Sequence, residues 1–318
     1  MIYQIGTDEA GYGPNLGPLT ITGTLWQLAN DSLDLYQQLD SVITNQRSEV
    51  TANRMILADS KKVYASGQLR QLELPVLAAL SATLGHTPSN WQQLLIALTT
   101  PDAVQTTCQQ PWLADRELNL PIAASQQEIQ AMSSRFGEVC AIAQVRLLKV
   151  QCQVIGPEQF NRELTTLGNK ATLLSIQTLR IVRQLLNQTD GNVQVGCDKH
   201  GGRSKYASLI QSVVTPEFVF VGQESLASSD YRFIESDREI KLRFAARGEA
   251  FLPTALSSMV SKYLREIFMI LWNDFWREQV PGIRPTQGYP QDAKRFKGEI
   301  SARQKQMGIN DELIWRNK

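Results

Sequence analysis

The sequence predicts an α/β protein. Two strand-like segments, residues 2–7 and 193–198, each run into a carboxylate followed by glycines. Helical stretches alternate with strands, the clearest being residues 256–276. There Met259, Val260, Tyr263, Leu264, Ile267, Leu271 and Phe275 recur at helical spacings, which marks an apolar face. An opening pair of strands joined by a glycine-proline turn implies antiparallel pairing at the start of a sheet.

Composition sets the outer bounds. A chain of 318 residues, 42% hydrophobic, is long enough for one large domain or two modest ones. One domain is expected, with residues 86–136 inserted into it and a basic segment at 283–318. The net charge is +1, so nucleic-acid binding would need a local patch. Cys108, Cys140, Cys152 and Cys197 form no CxxC pair, which argues against zinc or disulfides and for reduced thiols in a cytoplasmic protein. No signal peptide is expected at the start, and the richest apolar run, Ile267 to Trp272, is too short to cross a membrane. With only His86 and His200, chemistry needing several histidines is excluded.

In chain order, the first strand leads into Asp8-Glu9-Ala10-Gly11-Tyr12-Gly13-Pro14. Acids are poor strand residues unless a site needs their charge. The glycines let backbone N–H groups approach a bulky partner. Carboxylates beside an exposed backbone suit a divalent cation and a phosphodiester. Both acids would reach one site only if the strand bends at Glu9, because neighbouring strand residues face opposite ways. Residues 17–26 form the second strand, Leu19, Ile21 and Leu25 alternating with Thr20, Thr22 and Thr24. Residues 30–46 read as helix or loop.

Asp59 or Ser60 caps a helix that begins with Lys61 and Lys62. Cations are unfavourable at that end of a helix, which suggests a bound anion nearby. Residues 69–84 are helical. The 86–136 insertion is polar and proline-interrupted, with helical fragments at 91–98 and 125–134, and Trp91 and Trp112 as packing anchors. Residues 139–155 read as a hairpin or two short strands, and 158–186 as one long helix. The strand at 193–198 ends in Asp198, followed by Lys199, His200, Gly201, Gly202 and Arg203, cations that suit phosphate. No P-loop spacing is present, which disfavours a nucleotide-binding phosphotransferase. Further strands are expected at 218–221, 231–234 and 240–246, the last two joined through residues 235–237. The 283–318 segment has eight basic residues against four acidic ones, and Tyr289 within it suits stacking on a sugar or base.

Five ordered landmarks resemble ribonuclease HII, the type 2 ribonuclease H family: Asp8-Glu9-Ala10-Gly11-x-Gly13-Pro14, Asp59-Ser60-Lys61-Lys62, Asp198, the Ser257 to Arg265 helix segment, and Gly288-Tyr289-Pro290. The resemblance covers most of the chain outside 86–136. It implies a ribonuclease H-like mixed five-stranded sheet flanked by helices, with a C-terminal helical extension. The implied activity is Mg2+- or Mn2+-dependent cleavage of RNA in RNA–DNA hybrids, or of single ribonucleotides in duplex DNA, by a monomer. The implied metal ligands are Asp8, Glu9, Asp198 and a fourth acid. Glu249 takes that fourth place, one residue beyond Gly248, where the family spacing falls. Substrate contacts are expected from Gly11, Tyr12, Gly13, Ser60, Lys61, Lys62, Lys199, Lys262 and Tyr289. Three departures from the family pattern, Tyr12 for Arg, Gln287 for Lys and Glu249 for Asp, keep open an alternative: a catalytically impaired nucleic-acid-binding protein on the same fold.

Overall fold

The structure, a computed structural model, describes residues 1–29, 34–64 and 68–317, and of Glu249 the backbone only. Residues 30–33, part of the stretch read as helix or loop, lie outside the described residues. The chain opens with β1 (Ile2–Ala10), β2 (Leu19–Leu28), α1 (Leu35–Gln38), β3 (Ile43–Thr44), β4 (Met55–Ile56) and α2 (Ser60–Val63). It continues through α3 (Arg70–Leu84), α4 (Trp91–Leu98), α5 (Pro101–Cys108), α6 (Gln126–Ile142), β5 (Val145–Ile155), α7 (Pro157–Leu167) and α8 (Lys170–Leu186). Then come β6 (Asn192–Asp198), α9 (Ala207–Val213), β7 (Phe220–Glu224), β8 (Ser228–Glu235) and β9 (Arg238–Ala245). The helices α10 (Leu252–Gln279), α11 (Pro290–Gln306) and α12 (Asp311–Ile314) finish it.

One mixed sheet organises these elements, in the order β5-β2-β1-β6-β9-β8-β7. The strand β1 is antiparallel to β2 and parallel to β6, and β6 is parallel to β9. This is the expected mixed sheet flanked by helices, but it has seven strands rather than five. The hairpin β8–β9, turned through Ser236 and Asp237 at positive φ, pairs its first strand with β7 and so widens the sheet.

Three local readings are corrected. Residues 158–186 form two helices, because Gly168 adopts a left-handed C-cap (φ 79°) and Asn169 caps the next helix by accepting from Thr172 N at 2.8 Å. Residues 139–142 continue α6, which starts from a Ser125–Glu128 capping box, and a single strand, β5, follows. The first strand does not end at residue 7 or bend at Glu9: its ladder with β2 continues through Glu9–Ile21 and Ala10–Thr20.

Two apolar layers sandwich the centre of the sheet. On one side Ile5, Leu19, Ile21 and Leu25 meet Leu173, Leu174, Val182 and Leu185 of α8. On the other lies α10, whose approach is unusually close. A Cβ on Gly6 would lie 2.0 Å from the carbonyl carbon of Pro253. The threonines of β2 are buried in this seam: Thr24 Oγ1 donates to Pro253 O (2.8 Å) and Thr20 Oγ1 to Ser261 O (2.9 Å). Ser257 Oγ donates to Gly6 O at 2.8 Å. Small hydroxylic side chains thus satisfy one another where larger ones would hold the layers apart. Trp91 and Trp112 are buried against Phe268 and Trp272 of α10, so both act as the packing anchors expected of them. Buried Glu73 on α3 accepts from the backbone N–H groups of Ile122, Ala123 and Ala124, pinning the insertion's return.

Candidate active site

The strands β1 and β6 pair up to Thr7–Cys197 and no further. Beyond that register β1 runs on beside β2 alone, so a gap opens between the ends of two parallel strands. Such a split is where α/β sheets place ligands. Asp8 stands on one side of it and Asp198 on the other, and both line a cleft of about 470 Å³ with Asp59, Lys61, Lys62 and Arg247.

Each carboxylate is held by backbone. Glu9 N donates to Asp8 Oδ1 (2.8 Å), and Gly248 N donates to Asp198 Oδ1 (3.3 Å). Ser261 Oγ on α10 donates to the Asp8 carbonyl at 3.1 Å, which ties the cleft to the helix. Burial pushes the Asp8 carboxyl well above the usual carboxylate range, and the Asp198 charge adds to this. Glu9 is raised by burial, then by Asp8 and Asp198. Asp198 is raised by burial, against the pull of the Gly248 and Lys199 N–H groups and of Lys61. Burial works against the Lys61 ammonium, but Asp8, Asp59, Asp198 and Glu9 together hold its pKa above the ordinary lysine value.

The pleat separates the two adjacent acids. Asp8 pairs across from Thr22 on the α10 face, and Glu9 pairs across from Ile21 on the α8 face. Glu9 is therefore absent from the cleft lining, although its charge reaches Asp198. Glu249 lies in the short turn Gly248–Ala250 beside Asp198, and its side chain is outside the described residues.

The expected substrate residues divide into groups. Lys61 and Lys62 line the cleft. Gly11, at φ 87°, could carry no Cβ: one would meet Pro18 O at 2.5 Å. Gly13 faces open space. Tyr12 is half-buried beside Glu9, with Lys170 Nζ 5.4 Å above its ring. Tyr289 is 56% exposed and stands next to the glycine turn, because Gly288 O accepts from Asn15 N (2.8 Å) and Leu16 N (3.3 Å). Ser60 is buried, its hydroxyl accepting from Ser258 Oγ at 3.0 Å. Lys199 is not in the cleft lining; its ammonium donates to the carbonyls of Ser225 and Arg203 and to Ser229 Oγ. Lys262 pairs with buried Glu266 and lies over the Tyr64 ring at 4.7 Å.

Sequence reasoning missed two contributors. Asp59 caps α2 through Lys61 N (2.9 Å), as read, and also lines the cleft. Arg247 lines it from a left-handed backbone (φ 69°), a conformation that non-glycine residues keep mainly where structure or function demands it. A third support was equally hidden: Arg316 N donates to Asn15 O (2.8 Å) and Asn15 Nδ2 returns to Arg316 O (2.9 Å), so the chain's end backs the glycine turn.

The donor set is oxygen-only and acidic. His200, near in sequence, is buried, bonded to Ser175 Oγ through Nδ1 (2.9 Å), and pushed down to about 3 by burial and Arg203, so it stays neutral. Carboxyl groups whose pKa values are raised by burial and by one another suit a hard cation such as Mg2+ or Mn2+, whose charge offsets both effects. Among the described residues, no group of three His, Cys, Asp or Glu side chains is close enough to hold a metal ion. The carboxylates that line the cleft are Asp8, Asp59 and Asp198.

Fold and site together define an α/β protein with an acidic cleft at the split between two parallel strands of a mixed sheet. The chain matches no protein-family profile and no curated protein. Among solved structures it is similar to a chain of the PCNA–RNase HII complex from Archaeoglobus fulgidus, at 12% identity and a TM-score of 0.42, covering 99% of this chain and 94% of that one. It is also similar to ribonuclease H2 from Pyrococcus horikoshii OT3 (14%, 0.45, 98% and 92%) and to Bst-RNase HIII in complex with Mn2+ (12%, 0.42, 99% and 66%). Likeness at this level does not carry function.

Proposed function

We propose that the chain is a type 2 ribonuclease H: a metal-dependent endonuclease acting on RNA–DNA hybrids or on single ribonucleotides embedded in duplex DNA. One observation supports this most: Asp8 and Asp198, brought together where β1 and β6 part, share a cleft with Lys61, Lys62 and Arg247. An acidic floor with a cationic rim matches a phosphodiester and its counter-ions. Asp8 and Asp198 would hold the metal, with Glu249 as a further acid, while Glu9 on the opposite face would act on the site through its charge alone. Bound there, Mg2+ or Mn2+ would supply an activated water and charge relief on the phosphate. Lys61 and Lys62 would hold the flanking phosphates. The exposed Gly13 backbone and Tyr289 beside it would contact the ribose, whose 2′-hydroxyl distinguishes RNA from DNA.

The second reading, binding without cleavage, draws on the pleat that turns Glu9 away from Asp8 and on the engaged ammonium groups of Lys199 and Lys262. A duplex carrying one ribonucleotide separates the two. Cleavage with Mn2+, lost in Asp198→Asn at unchanged melting temperature, is the expected result. Cleavage that persists in excess chelator, or full activity in Asp198→Asn, overturns the proposal; tight binding with no cleavage under any divalent metal selects the second reading.

A further inference from the structure

The helix α10 covers β1 and β2 and reaches β6 through Thr254 Oγ1, which donates to Gly196 O at 2.9 Å. Past Gly196 the same face of the sheet continues onto β9, β8 and β7. Register places Gly196 opposite Arg243, Asp230 opposite Arg243 from the other side, and Arg232 between Lys241 and Phe220. All these side chains therefore project from one face. They floor a groove of about 790 Å³ that also takes in Phe251 and Arg247. Arg247 lines the acidic cleft as well, so groove and cleft adjoin.

The groove is basic and aromatic on a chain whose net charge is only +1. Arg232, Lys241, Arg243 and Arg247 face two carboxylates, Asp230 and Glu239. The contacts between them are loose or solvent-exposed: Arg243–Asp230 at 3.6 Å, Arg232–Glu239 at 3.9 Å and Lys241–Glu239 at 2.9 Å, each cation more than half exposed. Pairs of this kind contribute little and exchange readily for another anion. Phe220 is 42% exposed with the Arg232 guanidinium 4.5 Å from its ring centre, and Phe218, 69% exposed, packs edge-on against it at 4.8 Å. Exposed rings beside arginines form a stacking platform that accepts any base. From β6 to β7 is three inter-strand steps, about 14 Å, a width for one backbone with its bases.

We infer that this groove carries an unpaired nucleic-acid strand leading away from the acidic cleft, an inference that rests on the nuclease function proposed for that cleft. Arg247 holds the phosphate where the strand leaves; Arg243, Lys241 and Arg232 follow its backbone; Phe220 and Phe218 stack its bases. A single strand repeats an anionic phosphate and a planar base at every nucleotide, and so matches both the row of cations and the exposed rings.

The test compares a blunt ribonucleotide-containing duplex with the same duplex bearing a single-stranded overhang of about a dozen nucleotides, within the usual site size for such grooves. Binding is followed by fluorescence anisotropy, and cleavage is followed in parallel. The wild-type chain is expected to bind the overhang substrate about tenfold more tightly. A triple variant, Arg232→Ser with Lys241→Ser and Arg243→Ser, and separately Phe220→Ala, should bring that advantage to within about twofold while leaving blunt-duplex cleavage and the melting temperature unchanged. The triple variant should also flatten the salt slope by about 2, near 0.7 per lost single-strand phosphate contact. An overhang advantage that survives the triple variant overturns the inference. So does competition by polyglutamate as strong as that by single-stranded DNA of equal charge, which would assign the face to an acidic protein. If the blunt duplex is never cleaved but overhang binding is present and falls in the triple variant, the groove stands and the nuclease function falls.

Discussion

Tyr12 puts a neutral ring where the resembled family has an arginine. Its hydroxyl is raised by burial and by Glu9, and Lys170 stands over the ring. Tyr12→Arg would add a cation beside Glu9 on the α8 side of the sheet, where Lys170 and Arg203 already act on this position. Tighter hybrid binding is expected, with the slope of log K against log salt steeper by about 0.9, the value for one added phosphate contact. Titration at several salt concentrations measures both; no change in either would mean the side chain turns inward. Single residues also show what sequence can disclose. Asp8 and Asp198 were legible because strand, acid and glycine follow one another twice in the chain. Lys199 and Lys262 carried the same signal as Lys61, yet the loop carbonyls of Ser225 and Arg203 hold one and Glu266 the other. A lysine's partners are set by neighbours distant in sequence, which no local pattern encodes. Arg247 had no sequence signal at all, since its role follows from a left-handed turn.

Among the elements, α10 and β1 depend on each other most. The contact at Gly6 is backbone against backbone, so no side chain can move aside. Gly6→Ala should therefore cost more than the usual overpacking penalty of about 1–3 kcal/mol. Urea denaturation would show this as a lowered midpoint; a loss under 1 kcal/mol would mean that α10 can slide on the sheet. The helix itself was readable from its apolar repeat. The alternation in β2 was readable too, but not its meaning: Thr20, Thr22 and Thr24 look solvent-facing in sequence and are fully buried under α10. The break at Gly168-Asn169 carried a C-cap and an N-cap signal in adjacent positions, and the strength of the apolar pattern on both sides hid it. The seventh and sixth strands were legible as strands, whereas their place in the sheet depends on pairings across the molecule.

For the whole molecule, one charged knot links distant parts. Glu235 at the end of β8 pairs with Arg183 of α8 (2.7 Å) and Arg238 of β9 (2.8 Å). Burial raises its pKa, but Arg238 and Arg183 outweigh that and hold it below the ordinary glutamate value. The unfolded chain then binds the proton more readily than the folded one. The knot's contribution is present above the unfolded glutamate pKa of about 4.3 and is lost as pH falls through the lower folded value. Melting temperature should drop across that acidic window, and Glu235→Gln should shrink the drop. An unchanged pH profile in the variant would show that the knot is too hydrated to matter.

The half-covered sheet has a consequence in time as well as in space. Amides of β1 and β2 lie between α8 and α10 and can meet solvent only when the whole core opens. Those of β7, an edge strand whose residues are nearly all exposed, need only a small excursion of the outer hairpin. Native-state hydrogen–deuterium exchange should thus run as a gradient across the sheet, with β7 first, β8 next, and the strand bearing Asp8 among the last. The floor of the acidic cleft would then stay ordered while the margin beside it loosens and re-forms many times, and equal protection of β7 and β1 would show that the outer strands instead move as one body with the centre.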